Sequence, residues 1–365
     1  MIKRVWINHF RNLQELRVDC ASFRHIYVYG NNNQGKTNFL ESLYYIGHGK
    51  TPSSSDLNVL LNFNQPVGYL GADIEQGDAA SRIYMKLDRE NGRHITLNND
   101  IVKRTITLKQ CCPIEYLSSD INREFTSTPD ARRRSFNHVL EILDPDYARS
   151  LKKYKEIIRQ KNAMLKTRFD PRLYDIFNQS LATEIPTIVQ KRMNYCQKSS
   201  TRLESLLRRI LEDPSLTMSI QYQCRYTSDF KHLQDDFLSC VNTNKYKEVN
   251  AKGSLYGPHR DDIQFQLNGR DCLVFASKGI GRLVSILMKL IDLIHISEAY
   301  HSFPVLLLDD TFSEIDDGLK SKLITLLTEY TQLIYCTTRK EDSHYFTEAG
   351  IFKMEEGAIR YEASI

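Results

Sequence analysis

The chain has no apolar run long enough to cross a bilayer as a helix. That excludes a helical membrane domain. It has no Cys-x-x-Cys pair with zinc spacing, and no histidine cluster joins its 8 cysteines. Those cysteines, with Cys111 and Cys112 adjacent, are expected to be reduced and mostly buried. There is no internal repeat and no low-complexity segment. An excess of either charge is lacking, because 49 Lys and Arg against 45 Asp and Glu leave a net charge of only +4. A balance that mild points to no nucleic acid unless the basic residues cluster locally. Met1 to Trp6 reads as a strand and not as a signal peptide, so the expected location is cytoplasmic.

What is present is ordinary for a soluble protein. The chain has 365 residues, 41% hydrophobic and 26% charged. That length supports a sizeable core and more than one domain.

One stretch organises the rest. Gly30-Asn31-Asn32-Asn33-Gln34-Gly35-Lys36-Thr37 has the spacing of a phosphate-binding P-loop. A mostly apolar run, His25 to Tyr29, precedes it as an expected buried strand. Thr37 to Ile46 follows with helical spacing, Leu40, Leu43 and Ile46 near one face. Gly30 and Gly35 let the backbone curl so that its N–H groups face a polyphosphate. The helix N-terminus adds partial positive charge. Lys36 is expected to reach the β- and γ-phosphates of ATP, and the Thr37 hydroxyl to ligate Mg²⁺.

Before this unit, residues 2 to 20 read as two strands turning at Phe10-Arg11-Asn12. After it, residues 48 to 66 read as loop. Tyr69 to Ile74, Arg82 to Leu87 and His94 to Leu97 read as an antiparallel meander with turns at Gly77-Asp78 and Asn91-Gly92. Pro113 to Leu117 reads as a further strand. From Pro129 the pattern becomes helical: a helix ended by Pro145, a long one from Asp146 to Lys166, another from Leu173 to Leu181, and one from Pro186 to Leu211. Period-two spacing from Met218 to Tyr226 predicts a strand.

A P-loop needs an acid on a neighbouring strand. Val305 to Asp310 supplies it. The unbroken apolar run is that of a strand buried on both faces, as in a parallel sheet. Asp309 would hold Mg²⁺, and Asp310 would orient and polarise the attacking water. The P-loop and this strand lie at opposite ends of the chain, so the helical segment between them reads as an insertion. The expected architecture is an α/β ABC-type P-loop ATPase head, discontinuous in sequence. Residues 1–117 and 255–365 form the head, and residues 118–254 an inserted, mainly helical lobe.

That arrangement resembles the ABC-type ATPases, in particular the heads of SMC-like proteins. Ser313-Glu314-Ile315-Asp316 resembles a D-loop, with Ser313 and Asp316 as its site residues. Phe275 to Arg282 opens a long helix and resembles the signature motif, in which Ser277, Lys278 and Gly279 would bind the γ-phosphate of the opposite protomer. Several blocks in order resemble the RecF family. They are His9 to Leu13, Gly30 to Ser42, Thr128-Pro129 with Arg132-Arg133-Arg134, Tyr154 to Lys166, Tyr256-Gly257-Pro258-His259-Arg260-Asp261-Asp262, and Leu306 to Asp316. The Gly-Pro-His-Arg-Asp-Asp block is the most family-specific.

The resemblance implies a protein that binds ATP with Mg²⁺ and forms an ATP-dependent homodimer. It implies binding to duplex DNA at gaps or single-strand/double-strand junctions, and slow ATP turnover. It further implies work with RecR and RecO in placing recombinase on gaps, in repair, replication restart and the SOS response. Arg11 and Asn12 join the P-loop as expected ATP-binding residues. Candidate DNA contacts are Arg132, Arg133, Lys152 and Lys153, because Lys and Arg bind phosphate without reading sequence. Two departures bear on catalysis. Ile280 stands where the signature usually has Gln, and Asp310 stands where most ABC ATPases have Glu. The alternative reading is therefore a nucleotide-held interaction protein with little hydrolysis. A third is an unrelated P-loop enzyme, against which the helical insertion and the Ser-Glu-Ile-Asp block count.

Overall fold

The computed structural model describes residues 1–54, 56–76, 79–118, 128–227, 229–312 and 315–364. The expected turn at Gly77-Asp78 lies outside them. The chain divides into two compact units, Met1–Ile121 with Lys289–Ile365, and Asn122–Met288. The second unit is thus inserted into the first. Residues 255–288, grouped with the head in the sequence reading, belong to the second unit.

The first unit begins with β1 (Ile2–Phe10), β2 (Leu13–Asp19) and β3 (His25–Tyr29). Then come α1 (Lys36–His48) and a one-turn α2 (Leu57–Leu60). The sequence reading had only loop at α2; its signal is Asp56, whose side chain accepts from the Asn58 N–H as an N-cap. The meander follows as β4 (Val67–Gln76), β5 (Ala79–Asp88), β6 (Gly92–Leu97) and β7 (Asp100–Ile101). Then come α3 (Ile106–Cys111) and β8 (Ile114–Ser118).

In the second unit, α4 (Pro129–Leu143), α5 (Pro145–Lys166) and α6 (Pro171–Leu211) share one start signal. Thr128, Asp144 and Asp170 are N-caps accepting backbone N–H groups, and a proline takes the first helical position each time. Strand β9 (Met218–Gln223) follows, then α7 (Leu233–Thr243), α8 (Lys245–Ala251), β10 (Asp262–Leu267), β11 (Arg270–Asp271) and α9 (Cys272–Phe275). A long helix, α10 (Lys278–Tyr300), spans the division between the units. The chain returns through β12 (Val305–Asp309), α11 (Asp317–Tyr330), β13 (Gln332–Thr337), β14 (Ala349–Glu355) and β15 (Ala358–Ser364).

The helical segment departs from the sequence reading at Pro186. Residues 173–181 and 186–211 are not two helices, because α6 runs through Pro186 without a break. An interior proline costs roughly 3 kcal/mol. Leu181, Ile185, Ile188 and Val189 around it are all fully buried, and that apolar burial outweighs the lost hydrogen bond.

Two sheets build the first unit. One is antiparallel in the order β2-β1-β4-β5-β6-β7. The other has the order β15-β14-β3-β13-β12-β8, parallel from β14 to β8, with β15 antiparallel at its edge. Val305 to Leu308 are fully buried, as a strand covered on both faces requires. Side chains from both sheets and from α1 (Val5, Ile7, Phe39, Leu43, Leu307 and Ile334 among them) form one apolar core. Buried Gln332 ties β13 to the first strand: its side chain accepts from the Ile2 N–H at 2.7 Å and donates to the Ile2 carbonyl at 2.9 Å. The second unit pairs β9, β10 and β11 antiparallel.

The register of the parallel sheet sets up the site. Thr337 pairs with Tyr29, Cys336 with both Val28 and Asp309, and Asp309 with Ser118. The C-terminal ends of β3, β13, β12 and β8 therefore lie side by side. In parallel α/β sheets ligands bind at that edge.

His25 sits at the start of β3, 2% exposed, and its Nδ1 accepts from the Leu333 N–H at 3.1 Å. Burial, aided by the charge of Arg24, pushes the imidazole down to about 4. The unfolded chain therefore binds a proton more readily than the folded one between about pH 6.5 and 4. The stability from neutral His25 is complete above pH 6.5 and is lost as pH falls toward 4. The expected loss from this group is about 3 kcal/mol. Urea denaturation at pH 7 and pH 4 checks it: His25→Gln should lose about that much less than wild type over the interval.

Candidate nucleotide site

Gly35 closes the P-loop as the N-cap of α1, with φ of 108°. Lys36 folds back over the loop: its Nζ donates to the Gly30 carbonyl at 2.8 Å and the Asn31 carbonyl at 2.7 Å. Burial holds its pKa below the usual lysine value, with partial compensation from Cys336, Asp309 and Asp310. The Thr37 hydroxyl donates to Asp309 Oδ2 at 2.8 Å. One hydrogen bond thus spans 272 residues of sequence and joins the P-loop helix to the acidic strand.

Asp310 follows directly, with φ of 46°. Its N–H donates to the Cys336 carbonyl at 2.9 Å, and its Oδ1 accepts from the Thr337 hydroxyl at 3.3 Å. Asn12, Asn32, Asn33, Gly35, Lys36, Thr37, Asp309 and Asp310 line a cavity of about 490 Å³. Ser118 and Thr338, which the sequence reading did not assign to the site, line it as well.

Arg11 is not free. Its guanidinium pairs with Glu41 and donates to Asn38 Oδ1 at 3.0 Å and Ser53 Oγ at 2.7 Å. Asn38 in turn donates to Asn12 Oδ1 at 2.7 Å, so Arg11 and Asn12 are locked to α1. Gln34 is held from the other side. Its side-chain oxygen accepts from the Glu356 N–H at 2.5 Å, and its carbonyl accepts from Gly357 at 2.9 Å. Asn31 and Gln34, with Tyr29, Lys340, Lys353 and Arg360, line a neighbouring cavity of about 790 Å³.

Two contacts gave little sequence signal. Tyr116 donates to Asp309 Oδ2 at 2.8 Å, yet a tyrosine in a strand reads only as a good strand former. The turn at Glu356-Gly357 reads as any hairpin.

Of the D-loop residues, Asp316 N-caps α11, accepting from the Leu319 N–H at 2.9 Å. Ser313 lies outside the described residues. In the second unit, Ser277, Lys278 and Gly279 are exposed at the start of α10. Ser277 Oγ accepts from the Ile280 N–H at 3.3 Å, so it acts as a helix cap.

The basic candidates divide. Arg132 is 2% exposed and its guanidinium clasps the Asp262 carboxylate at 2.8 Å. Arg133 is largely buried and donates to the Asp261 carbonyl at 2.6 Å. These two are corrected as DNA contacts, because both are used in the interior of the second unit. Lys152 and Lys153 on α5 are exposed, Lys153 pairing with Glu184 at 2.5 Å. The Gly-Pro-His-Arg-Asp-Asp block is structural in the same unit. His259 bonds Tyr154 at 2.7 Å, and burial pushes its imidazole down to about 3. Asp261 accepts from Tyr222 at 2.6 Å, and burial pushes its carboxyl up to about 6.

The fold is that of the heads of SMC-like ABC ATPases, with a helical unit inserted. Two solved structures carry that step at the level of fold: an Smc head bound to the C-winged helix domain of ScpA has a TM-score of 0.58 at 12% identity, covering 100% of this chain and 98% of the other. An Smc head from Pyrococcus furiosus with an extended coiled coil gives 0.56 at 12%, covering 99% and 95%. The chain is RecF-like along its whole length. It is 27% identical over 360 residues to the DNA replication and repair protein RecF of Clostridium beijerinckii, covering 98% of each chain. It is 28% identical over 384 residues to that of Natranaerobius thermophilus, covering 98% of this chain and 97% of the relative. The solved recombination mediator protein RecF in complex with ATP has a TM-score of 0.84 at 24% identity, covering 99% of each chain. No family model matches the chain.

Gly357 tests how firmly the C-terminal hairpin braces the P-loop. Its φ is 79°, and a Cβ there would sit 2.8 Å from the Asn12 carbonyl oxygen. Gly357→Ala should therefore displace the hairpin and cost about 1–3 kcal/mol. Denaturation measures the cost, and amide exchange should show faster opening at Gln34 and its neighbours than in wild type.

Proposed function

We propose that the chain is a RecF-like ATPase that binds ATP with Mg²⁺, dimerises on it and binds duplex DNA at gaps or single-strand/double-strand junctions. In that role it helps place recombinase on single-stranded gaps in repair and replication restart, with RecR- and RecO-like mediators as partners. The observation that carries this reading is the Thr37–Asp309 hydrogen bond at 2.8 Å, with Lys36 and Asp310 beside it.

Magnesium fits the donors. It is a hard cation that takes oxygen ligands, and the Thr37 hydroxyl and the Asp309 carboxylate offer them at one point. When bound, the ion would neutralise charge on the β- and γ-phosphates. Lys36 would leave the Gly30 and Asn31 carbonyls for those phosphates. Asp310, steadied by Thr337, would orient and polarise a water. Ser277, Lys278 and Gly279 would meet the γ-phosphate of a second protomer at a helix N-terminus. Asp316 and Ser313 would act as the D-loop. Functionally, residues 1–117 and 255–365 are assigned to the head, and 118–254 to the lobe. Lys152 and Lys153 are the exposed cations offered to DNA phosphates.

A second reading keeps nucleotide binding and dimerisation with little turnover. It is favoured by Ile280, whose apolar side chain makes no hydrogen bond at the signature. It is also favoured by the short Asp310 carboxylate, already engaged by Thr337.

Sedimentation of wild type and Lys36→Met, with and without ATP, Mg²⁺ and a short gapped duplex, tests the first reading. ATP should convert wild type alone to a dimer that carries the duplex. Lys36→Met should bind ATP about 10–100-fold more weakly, the loss expected for charge-assisted hydrogen bonds worth about 1.5–3 kcal/mol. Wild type that binds ATP and stays monomeric would overturn the dimer. Asp310→Asn separates the two readings: a trapped dimer with lost function means turnover matters, and wild-type behaviour means binding suffices.

A further inference from the structure

We propose that Tyr116 is the positioning residue for Asp309, its hydroxyl fixing the carboxylate that, with Thr37, receives the divalent cation. This rests on the nucleotide reading above and goes one step past it. The Tyr116 hydroxyl donates to Asp309 Oδ2 at 2.8 Å, the same oxygen that accepts from Thr37 at 2.8 Å.

The geometry follows from register. In the parallel pair β8–β12, Tyr116 lies opposite Leu307, and Leu308 opposite Leu117. Leu307 and Asp309 are two residues apart and share a face. A phenol rooted beside Leu307 has the length to reach forward to Asp309. Its ring packs edge-on against Tyr44 of the P-loop helix, with centroids 6.3 Å apart, and against the apolar core. The ring is thus fixed by packing, and only its tip is polar.

The chemistry has one direction. A tyrosine phenol carries one O–H donor, and it is aimed at Asp309 Oδ2. An ionised carboxylate only accepts. Asp309 therefore takes two O–H donors on one oxygen. Thr37, with its proton committed to Asp309, has its oxygen lone pairs left for a cation. Tyr116 fixes Asp309, and Asp309 fixes the rotor of Thr37. Outer partners of this kind set the orientation of metal ligands, and removing one typically costs about 10–100-fold in metal affinity.

Tyr116→Phe keeps the ring and deletes the hydroxyl. Binding of a fluorescent ATP analogue, titrated with Mg²⁺ in wild type and variant, reads the effect without any turnover. The Mg²⁺ concentration for half-maximal tightening should rise about tenfold or more. Affinity in EDTA should stay within about twofold, and the melting temperature should hold, as expected for a group that acts on the metal ligands only. Tyr116→Leu, which removes the ring too, should lower the melting temperature while shifting the Mg²⁺ requirement by a similar factor. An unchanged Mg²⁺ requirement in Tyr116→Phe, or an equal loss with and without Mg²⁺, would overturn the assignment and leave nucleotide binding intact. Wild type that binds no nucleotide at any Mg²⁺ concentration would remove the nucleotide reading and this inference together.

Discussion

Everything at the candidate site depends on the register of a few parallel strands. Backbone hydrogen bonds set Asp309 opposite Cys336 and Cys336 opposite Val28. A slip of one residue would turn Asp309 to the other face of the sheet and put a buried leucine where the acid belongs. The register is secured by apolar side chains on both faces of β12 and β13, all fully buried. Hydrophobic burial thus does indirectly what no local interaction could do. It brings Thr37 and Asp309, 272 residues apart, within one hydrogen bond.

Around that contact the protein pairs polar groups with one another. Arg11 with Glu41, and Gln34 with the Glu356-Gly357 turn, hold the P-loop from two sides. A buried polar group without a partner costs about 1–3 kcal/mol, and Glu41 is 5% exposed, so its pair with Arg11 resists rearrangement. The second unit uses the same device. Lys161 and Glu248 are completely buried and paired at 2.6 Å, with Tyr174 also donating to Glu248 at 2.9 Å. Arg192 gathers Tyr147, Tyr222, Asn137 and the Pro258 carbonyl in the same interior. Removing one member of such a set leaves the others desolvated and unmatched.

This explains why basic residues misled where apolar ones did not. Arg132 and Arg133 look in sequence like an exposed basic surface. Arg132 is clasped by Asp262, 130 residues away, and Arg133 donates to the Asp261 carbonyl. Charge spacing along one helix carries no record of what packs against it. The Gly-Pro-His-Arg-Asp-Asp block is similar: its His259 and Asp261 belong to an interior network with Tyr154 and Tyr222.

The sequence by itself determined the elements whose cause is local. The glycines and lysine of the P-loop, the cap-proline pairs Thr128-Pro129, Asp144-Pro145 and Asp170-Pro171, and the unbroken apolar run of β12 each carry their own physical reason within a few residues. The discontinuous head was also legible, because a P-loop and an acidic strand must share a sheet. Only the tertiary structure decided what spans the chain: Tyr116 on Asp309, the C-terminal hairpin on Gln34, the passage of α6 through Pro186, and the burial of Arg132. Those outcomes turn on packing between distant segments, where burial free energy exceeds local preference.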